Sequence, residues 1–197
     1  MSAAADILKE RLGGLAPRLA LVLGSGLGGL AEQVEDAIRV RYADIPGFPQ
    51  SGVSGHAGEL VAGVFADTHV IMLAGRAHYY EDGDAAAMRP LLEALAGIGI
   101  EALILTNAAG SLQADMPPGS VMLIEDHINF SGTNPLIGET SEQRFVGMSE
   151  AYDLTLRAAL ENAAEKAGVK LHRGVYMWFS GPTFETPAEI RMARMLG

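Results

Sequence analysis

The stretch LALVLGSGLGGL, from Leu19 to Leu30, sets the fold class of this chain. Its apolar run Leu19–Leu23 predicts a buried strand, and the glycines that follow predict a tight turn. Glycines at the first, third and sixth places after a strand are the fingerprint of dinucleotide-binding loops. A glycine-rich turn can equally bind phosphate through its backbone N–H groups, or bind nothing. The stretch therefore leaves three alternatives: a dinucleotide site, another anion site, or a turn without a ligand.

Outward from this stretch, short apolar strands alternate with helical segments. The predicted strands are Leu19–Leu23, Leu60–Phe65, His69–Ala74, Leu103–Thr106, Ser120–Ile124 and Val175–Phe179, with a turn at residues 66–68 joining the second strand to the third. The predicted helices are an amphipathic N-terminal segment, Ala85–Ile98, Glu150–Ala167 capped by Ser149, and Pro187–Leu196. Continuous apolar strands between helices indicate a sheet covered on both faces. We expect an α/β fold, with a mixed central sheet flanked by helices, in a single domain spanning residues 1–197.

The last predicted helix has clear boundary signals. Thr186 is placed as its N-cap, Pro187 occupies the first helical position, and Glu189 is the capping-box partner. Gly197 stands where a C-cap glycine belongs. Because an alternating α/β pattern places a strand after such a helix, we expect the fold to continue past this point.

Composition narrows the class of protein. The 197 residues carry a net charge of −10, which disfavours nucleic acid or an anionic membrane as the main partner. Cysteine is absent, which removes disulfides, thiolate nucleophiles and Cys-ligated zinc. No signal peptide or run of about 20 apolar residues is visible, so we expect a cytoplasmic protein. An anion site in this acidic chain must be a local cationic pocket.

The segment MLAGRAHYYEDG has three polar side chains that could bind a ligand, just after a predicted buried strand. Arg76 and His78 are two residues apart, so an extended backbone would direct both to one side, with Tyr80 continuing the row. Ligands of α/β sheets bind at the carboxyl ends of strands. A guanidinium matches phosphate oxygens, and an imidazole adds a donor. His56 lies in another glycine-flanked loop, GVSGHAGEL, where a bound group could approach closely.

Two further strand ends could bind a ligand. Asn107–Gly110, in LILTNAAGSL, consists of small residues that allow close approach to the backbone, although a close-packed turn explains them equally well. In FSGPTFETPAE, Phe184 could stack on a flat ring and Glu185 could accept hydrogen bonds from ring N–H groups. A core phenylalanine and a helix-dipole carboxylate would also account for this pair. The histidines lack metal-ligand spacing, and no G-x-S-x-G elbow is present.

Taken in order, these segments resemble the trimeric purine nucleoside phosphorylase family. The matching motifs are LGSGLGGL, IPGFPQSGVSGHAGELV, GRAHYYEDG, TNAAGSL, GSVMLIEDHINFSGTNPL, MSEAYD and SGPTFETPAEIR. They run from about Leu21 to Gly197, and the pairing of GRAHYYE with GPTFETPAE is specific. The methylthioadenosine phosphorylases look similar in the glycine loop but typically differ at TFET, so they rank lower and are kept as the alternative.

The resemblance implies that the glycine loop binds inorganic phosphate as a co-substrate, with no other cofactor and no metal. The implied phosphate ligands are Ser25, His56, Arg76, His78 and the backbone N–H of Ala108. The implied nucleoside-binding residues are Tyr80 for the ribose, Phe184 and Glu185 for the purine, and Phe145 lent by a neighbouring subunit of a homotrimer. Arg76, His78 and Glu185 would then carry catalysis.

The implied reaction is phosphorolysis of inosine- or guanosine-type nucleosides, in purine salvage, to free base and ribose 1-phosphate. The family also continues after ARMLG with a strand and loop that complete the site, so we expect this chain to lack the family's C-terminal portion. Two alternatives follow from other classes of protein. One is a catalytically incomplete fragment that binds phosphate or nucleoside, and the other is a nucleotide-cofactor oxidoreductase built on Gly24–Gly29.

Overall fold

The computed structural model describes residues 2–49 and 58–197, which form two compact units, Met1–Ala108 and Ala109–Gly197. The first unit contains α1 (Ala3–Arg11), β1 (Leu19–Val22), β2 (Glu35–Arg41), β3 (Glu59–Phe65), β4 (Thr68–Ala74), α2 (Tyr79–Asp82), α3 (Arg89–Ile98) and β5 (Ala102–Leu105). The second contains β6 (Val121–Asn129), α4 (Leu154–Lys166), β7 (Leu171–Trp178) and α5 (Pro187–Met195). The predicted α/β class is confirmed.

The first unit is built on a five-stranded mixed sheet in the order β2-β3-β4-β1-β5. Strand β1 pairs in parallel with β4 on one side and β5 on the other, so that Leu21 lies opposite both Met72 and Ile104. Strands β2, β3 and β4 pair antiparallel. The three parallel strands therefore end at the same edge of the sheet.

Strand β2 is missing from the sequence-based prediction, because its residues EDAIRVR include four charged side chains and no apolar run. Only Val40 is fully buried in it. It forms the edge of the sheet beside β3, where charged side chains are common because they discourage pairing with another chain. The β3–β4 turn is as predicted, since Ala66 and Asp67 both have positive φ, as a two-residue hairpin of the favoured twist requires.

Strands β1, β3 and β4 have apolar neighbours on both faces, as continuous apolar strands predict, whereas Leu105 at the end of β5 is 63% exposed. Residues of α1 and α3, including Leu8 and Leu95, pack with Ala20 and Val22 on one face. The opposite residues of the same strands pack with Ala31 and Val34, which belong to the segment between β1 and β2. These three central strands therefore hold the loops at their ends on a rigid base.

The second unit pairs β6 with β7 in parallel, and α4 contacts β7. Three ion pairs join helix and strands: Arg157 to Glu125 at 2.8 Å, Arg173 to Glu161 at 2.5 Å, and Arg173 to Glu125 at 3.6 Å. Because Glu125 lies on β6, Arg173 on β7 and the other two on α4, the network joins all three elements.

Several predicted boundaries are wrong by a turn or more. Helix α4 begins at Leu154 with Asp153 as its cap, whose carboxylate accepts from the N–H of Leu156 at 2.8 Å, and not after Ser149. Helix α3 begins at Arg89 and not at Ala85, since turns occupy the preceding residues. The capping box of α5 is confirmed, because local side-chain chemistry alone specifies it.

A buried tyrosine ties the end of β4 to the rest of the sheet. The Tyr42 hydroxyl donates to the Gly75 carbonyl at 2.9 Å, and its ring meets the Phe48 ring edge-on at 5.6 Å between centroids. The Tyr42 side chain is almost completely buried, and this burial raises the pKa of its hydroxyl well above the usual range. Gly75 directly precedes Arg76, so the tyrosine fixes the backbone from which that arginine projects.

The turn after β1 closely approaches the turn after β5. The Gly24 N–H donates to Thr106 Oγ1 at 2.7 Å. A Cβ on Gly24 would lie 2.7 Å from the Thr106 carbonyl oxygen and 2.9 Å from Asn107 Cα. Both distances are shorter than van der Waals contact and involve backbone atoms, so only glycine fits at this position.

We expect Tyr42→Phe to lower the free energy of unfolding by about 1–2 kcal/mol near pH 7, because it leaves the buried Gly75 carbonyl without its donor. The folded protein keeps the phenol proton at a raised pKa, whereas the unfolded chain releases it near pH ~10. The stability of the native chain should therefore fall as pH rises above about 10. Denaturant unfolding across pH 7–11 measures both effects. A parallel alkaline fall in the variant would contradict this role of Tyr42.

We expect Gly24→Ala to destabilise the first unit by about 1–3 kcal/mol, because the added methyl overpacks the contact with residues 106 and 107. Gly28→Ala is the matched control in the same segment, since its Cβ meets no atom within 4 Å. That control should change stability by no more than about 0.5 kcal/mol. The urea unfolding midpoints of the two variants measure the difference, and equal midpoints would count against the close approach.

Candidate functional site

Three of the predicted anion-binding positions lie at one edge of the first unit's sheet. Ser25 follows β1, Arg76 follows β4 and Ala108 follows β5. Because β1 is the central strand of this parallel trio, the three loops are neighbours at the carboxyl ends of the strands. Such an edge is the usual ligand site of α/β sheets. The structure thus brings together residues separated by more than eighty positions in sequence.

Arg76 is directed across this edge toward the end of β5. Its Nη1 donates to the Thr106 carbonyl oxygen at 2.6 Å, and its side chain is half-buried. The same threonine accepts from Gly24 through its hydroxyl. The guanidinium and the glycine turn are therefore held by one residue, and the positive charge lies beside the turn that carries Ser25.

His78 and Tyr80 are close together, although the predicted extended row is wrong. The backbone is extended at His78, but Tyr79–Asp82 forms the short helix α2, so Tyr80 does not continue a strand-like row. The two rings instead stack, with centroids 5.0 Å apart and planes 9° from parallel. The His78 N–H donates to the Glu81 carboxylate at 2.6 Å, which fixes the start of the helix. The imidazole is thus oriented by a ring partner that is itself 45% exposed.

Ser25 and Ala108 are exposed, in contrast to the buried Gly24 between Ser25 and the strand. The loop at Ala108 is shaped in part by the Asn107 side chain, whose Nδ2 donates to the Ala108 carbonyl at 3.2 Å. A hydroxyl on the loop after β1 and a backbone segment after β5 are therefore accessible at the sheet edge where Arg76 lies. His56 lies outside the described residues and remains a prediction.

The second unit carries Phe184 and Glu185 between β7 and α5. The Phe184 side chain is 94% exposed within the chain, which is unusual for a large apolar ring, so the interpretation of Phe184 as a core residue is wrong. Glu185 is half-buried and directly precedes the N-cap Thr186. Thr186 and Glu189 form the capping box, with Thr186 N–H donating to the Glu189 carboxylate at 2.6 Å. These hydrogen bonds lower the pKa of Glu189.

The capping box also bears on the interpretation of Glu185. Glu189 is the carboxylate that satisfies the start of α5, because it accepts from the N–H of Thr186 while its own N–H donates to Thr186 Oγ1 at 3.3 Å. A second carboxylate is not needed to cap that helix. The alternative explanation of Glu185 as a dipole partner is therefore weaker, and its carboxylate is a candidate ligand group.

Phe145 lies in a different loop, between β6 and α4. Its ring is 71% exposed and is covered on one face by the Arg144 guanidinium, whose Cζ is 4.6 Å from the ring centroid. Arg144 also donates to the Glu139 carbonyl at 2.7 Å. The phenylalanine is thus held at the surface by its neighbour.

Two kinds of feature are not found where the chain is described. Residues 2–49 and 58–197 contain no group of three or more His, Asp or Glu side chains that could hold a metal ion. Within the same ranges, every helix is too short or too polar to cross a bilayer. The prediction that the protein uses no metal is left open by this observation.

Sequence reasoning overlooked Thr106, Tyr42 and Glu81. Thr106 had a usable signal, because a hydroxyl at the last position of an apolar strand is well placed to bond neighbouring strand ends. Glu81 lies three residues after His78, which is capping-box spacing. Tyr42 had no such signal, since its partner Gly75 is 33 residues away in sequence.

Comparison with known proteins connects this arrangement to a family. The family model described as the phosphorylase superfamily matches residues 18–197, a range that runs through both units. Purine nucleoside phosphorylase 1 of Geobacillus stearothermophilus is 45% identical over 197 residues, which cover 98% of this chain and 72% of that protein. The purine nucleoside phosphorylase of Mus musculus is 42% identical, over 92% of this chain and 65% of that protein.

Solved structures agree in fold. A crystal structure of a purine nucleoside phosphorylase in complex with ribose-1-phosphate superimposes with a TM-score of 0.90 at 35% identity, covering 98% of this chain and 74% of that one. The Schistosoma mansoni purine nucleoside phosphorylase in complex with inosine also has a TM-score of 0.90, at 34% identity over 98% of this chain and 70% of that one. This chain therefore belongs to the phosphorylase superfamily, among the purine nucleoside phosphorylases.

Proposed function

We propose that the protein cleaves purine nucleosides of the inosine and guanosine type with inorganic phosphate, releasing the free base and ribose 1-phosphate. The observation that supports this most directly is the meeting of Ser25, Arg76 and Ala108 at one edge of the parallel strands. Relatives named purine nucleoside phosphorylase, at 40–45% identity, support the same reaction. A solved relative is in complex with ribose-1-phosphate, which is the sugar product of the proposed reaction.

Phosphate binding is assigned to the first unit. Arg76 supplies a fixed guanidinium, His78 a ring donor, Ser25 a hydroxyl and Ala108 its backbone N–H. Charge-assisted hydrogen bonds of this kind are about twice as strong as neutral ones, which suits an anion site in a chain of net charge −10. The residue His56 is proposed to lie beside these donors.

The phosphate is both nucleophile and electrostatic catalyst. Cleavage of the bond between C1′ and the purine nitrogen leaves positive charge on the ribose ring. A phosphate oxygen held below C1′ stabilises that charge and then forms the new C1′–O bond, while the bonding pair leaves with the purine. Because phosphate attacks directly, the reaction requires no pair of enzyme carboxylates.

Base binding is assigned to the second unit. The exposed Phe184 ring offers a face for stacking on the purine. A carboxylate accepts hydrogen bonds only, so Glu185 would bind purine N–H groups and favour 6-oxopurines, without itself protonating the departing base. Tyr80 of the first unit is proposed to contact the ribose. Phe145 is proposed to reach the ribose of a neighbouring subunit.

We also propose a co-substrate, an oligomeric state and a cellular location for the enzyme. Phosphate is the co-substrate, and the chemistry requires no metal or other cofactor because the nucleophile is already an anion. The assembly is proposed to be a homotrimer, which would explain the exposed Phe145 ring. The location is proposed to be the cytoplasm, in purine salvage, with neither nucleic acid nor membrane as a partner for this acidic chain.

We expect release of hypoxanthine from inosine to require inorganic phosphate, and Arg76→Ala to reduce kcat/KM for phosphate on the order of 100-fold. Hydrogen bonds between charged groups contribute roughly 1.5–3 kcal/mol, and about 1.4 kcal/mol is a factor of ten. Steady-state assays with phosphate varied at fixed inosine measure the effect. Arg41→Ala is the matched control, because it removes an exposed guanidinium that pairs with Asp44 in the same unit.

Hypoxanthine release that proceeds equally well without phosphate would contradict the proposal. So would an Arg76→Ala variant with the phosphate dependence of the Arg41→Ala control. An assay with methylthioadenosine as the substrate distinguishes this protein from the methylthioadenosine phosphorylases. Faster cleavage of methylthioadenosine than of inosine would replace the assignment to 6-oxopurine nucleosides.

We expect Glu185→Gln to raise KM for inosine about tenfold or more while KM for phosphate changes little, because the substitution exchanges a charged acceptor for a neutral amide. Glu165→Gln, on the exposed face of α4, controls for loss of a negative charge in the same unit. An equal rise in both Michaelis constants would argue against a role confined to the base.

A further inference from the structure

Thr106 makes hydrogen bonds to residues at the ends of the other two parallel strands, β1 and β4. Its hydroxyl accepts from the Gly24 N–H at 2.7 Å and donates to the Val22 carbonyl at 2.8 Å. Its backbone N–H donates to the same Val22 carbonyl at 3.1 Å. Its own carbonyl accepts from Arg76 Nη1 at 2.6 Å. One residue at the end of β5 therefore bonds the loops after β1 and β4.

The Thr106 hydroxyl makes its hydrogen bonds, as donor and as acceptor, to groups of the protein itself. A hydroxyl has a single proton, and here that proton is directed at Val22, while the Gly24 N–H occupies an acceptor position. The residue has no further O–H donor to offer an anion. Its contribution to an anion site must therefore act through the groups that it holds in place.

Those groups are the two on which the proposed phosphate site depends. Gly24 directly precedes Ser25, so fixing the Gly24 N–H sets the start of the turn that carries the serine hydroxyl. The Thr106 carbonyl withdraws one guanidinium N–H from solvent and fixes the direction of Arg76. The close approach of Gly24 to Thr106 leaves no room for the two loops to come nearer.

We propose that Thr106 is the positioning residue of the phosphate site, which sets the separation between the Ser25 turn and the Arg76 guanidinium. This inference rests on the proposed function. Because the Gly24 N–H donates to Thr106, it does not donate to the ligand. Ser25 is then the first residue of the turn that donates to phosphate. The proposed role also makes the side chain at position 106 a determinant of phosphate affinity without contact to phosphate.

The test compares Thr106→Val, which keeps the shape and removes the hydroxyl, with Thr106→Ser, which keeps the hydroxyl. Titration calorimetry with inorganic phosphate gives the dissociation constant, and inosine assays give KM and kcat. We expect valine to raise the Kd and KM for phosphate about tenfold, the change that one lost hydrogen bond produces. Serine should stay within about threefold of the native protein, and KM for inosine should change little in both. Thr155→Val, exposed on α4, is the matched control.

Amide hydrogen exchange of the native protein tests the same inference without a substitution that could prevent folding. The Gly24 amide should be protected without phosphate and remain unchanged when phosphate is added, whereas the Ser25 amide should become more protected. A Gly24 amide that is protected only by phosphate would overturn the inference. Native-like phosphate affinity in Thr106→Val would also overturn it.

Failure of the proposed function gives a different result. If the native protein binds no inorganic phosphate in the calorimeter, the phosphate site itself is wrong and the positioning role fails with it. If the native protein binds phosphate and the valine, serine and control variants bind it equally well, only the positioning role is wrong.

Discussion

The parallel pairing of β1 with β4 and β5 is the constraint on which the first unit depends. Parallel strands end at the same edge, so three loops that are distant in sequence become neighbours as soon as the sheet forms. Because residues on both faces of β1 and β4 pack into apolar clusters, the register between these two strands is strongly specified: a slip of one residue would exchange the residues of the two faces. The positions of Ser25, Arg76 and Ala108 follow from that register.

The groups at this edge are held by hydrogen bonds between side chains and backbone atoms. A buried tyrosine holds the Gly75 carbonyl, and a threonine holds the Gly24 N–H and the Arg76 guanidinium. Satisfied polar groups in a half-buried setting have few alternative partners, so they keep the loops in one arrangement. An anion that binds there meets donors already in place, which reduces the entropy lost on binding.

The second unit has ion pairs that connect its helix α4 to its strands. Its two strands and α4 are joined by the ion pairs of Arg157 and Arg173, while Phe145 and Phe184 remain largely exposed. An aromatic ring left at the surface costs solvation free energy, which a stacked ligand or a second subunit would recover. The half-buried Glu185 carboxylate, directly after Phe184, can distinguish bases by their N–H donors, which stacking alone cannot do. These properties suit a base-binding surface, as the proposed function requires.

The amino-acid sequence by itself determined the α/β class, the hairpin between β3 and β4, the capping box of α5 and the family, because apolar periodicity, turn residues and short motifs are local or carried in chain order. It misplaced the starts of α3 and α4 and missed β2, whose charged residues form a strand only because β3 offers its edge. It named the residues of the phosphate edge but predicted an extended row for Tyr80 and overlooked Thr106. Only the tertiary structure showed which groups the Thr106 hydroxyl bonds, since a strand-end hydroxyl does not identify its partners and Gly24 and Val22 lie more than eighty positions away in sequence.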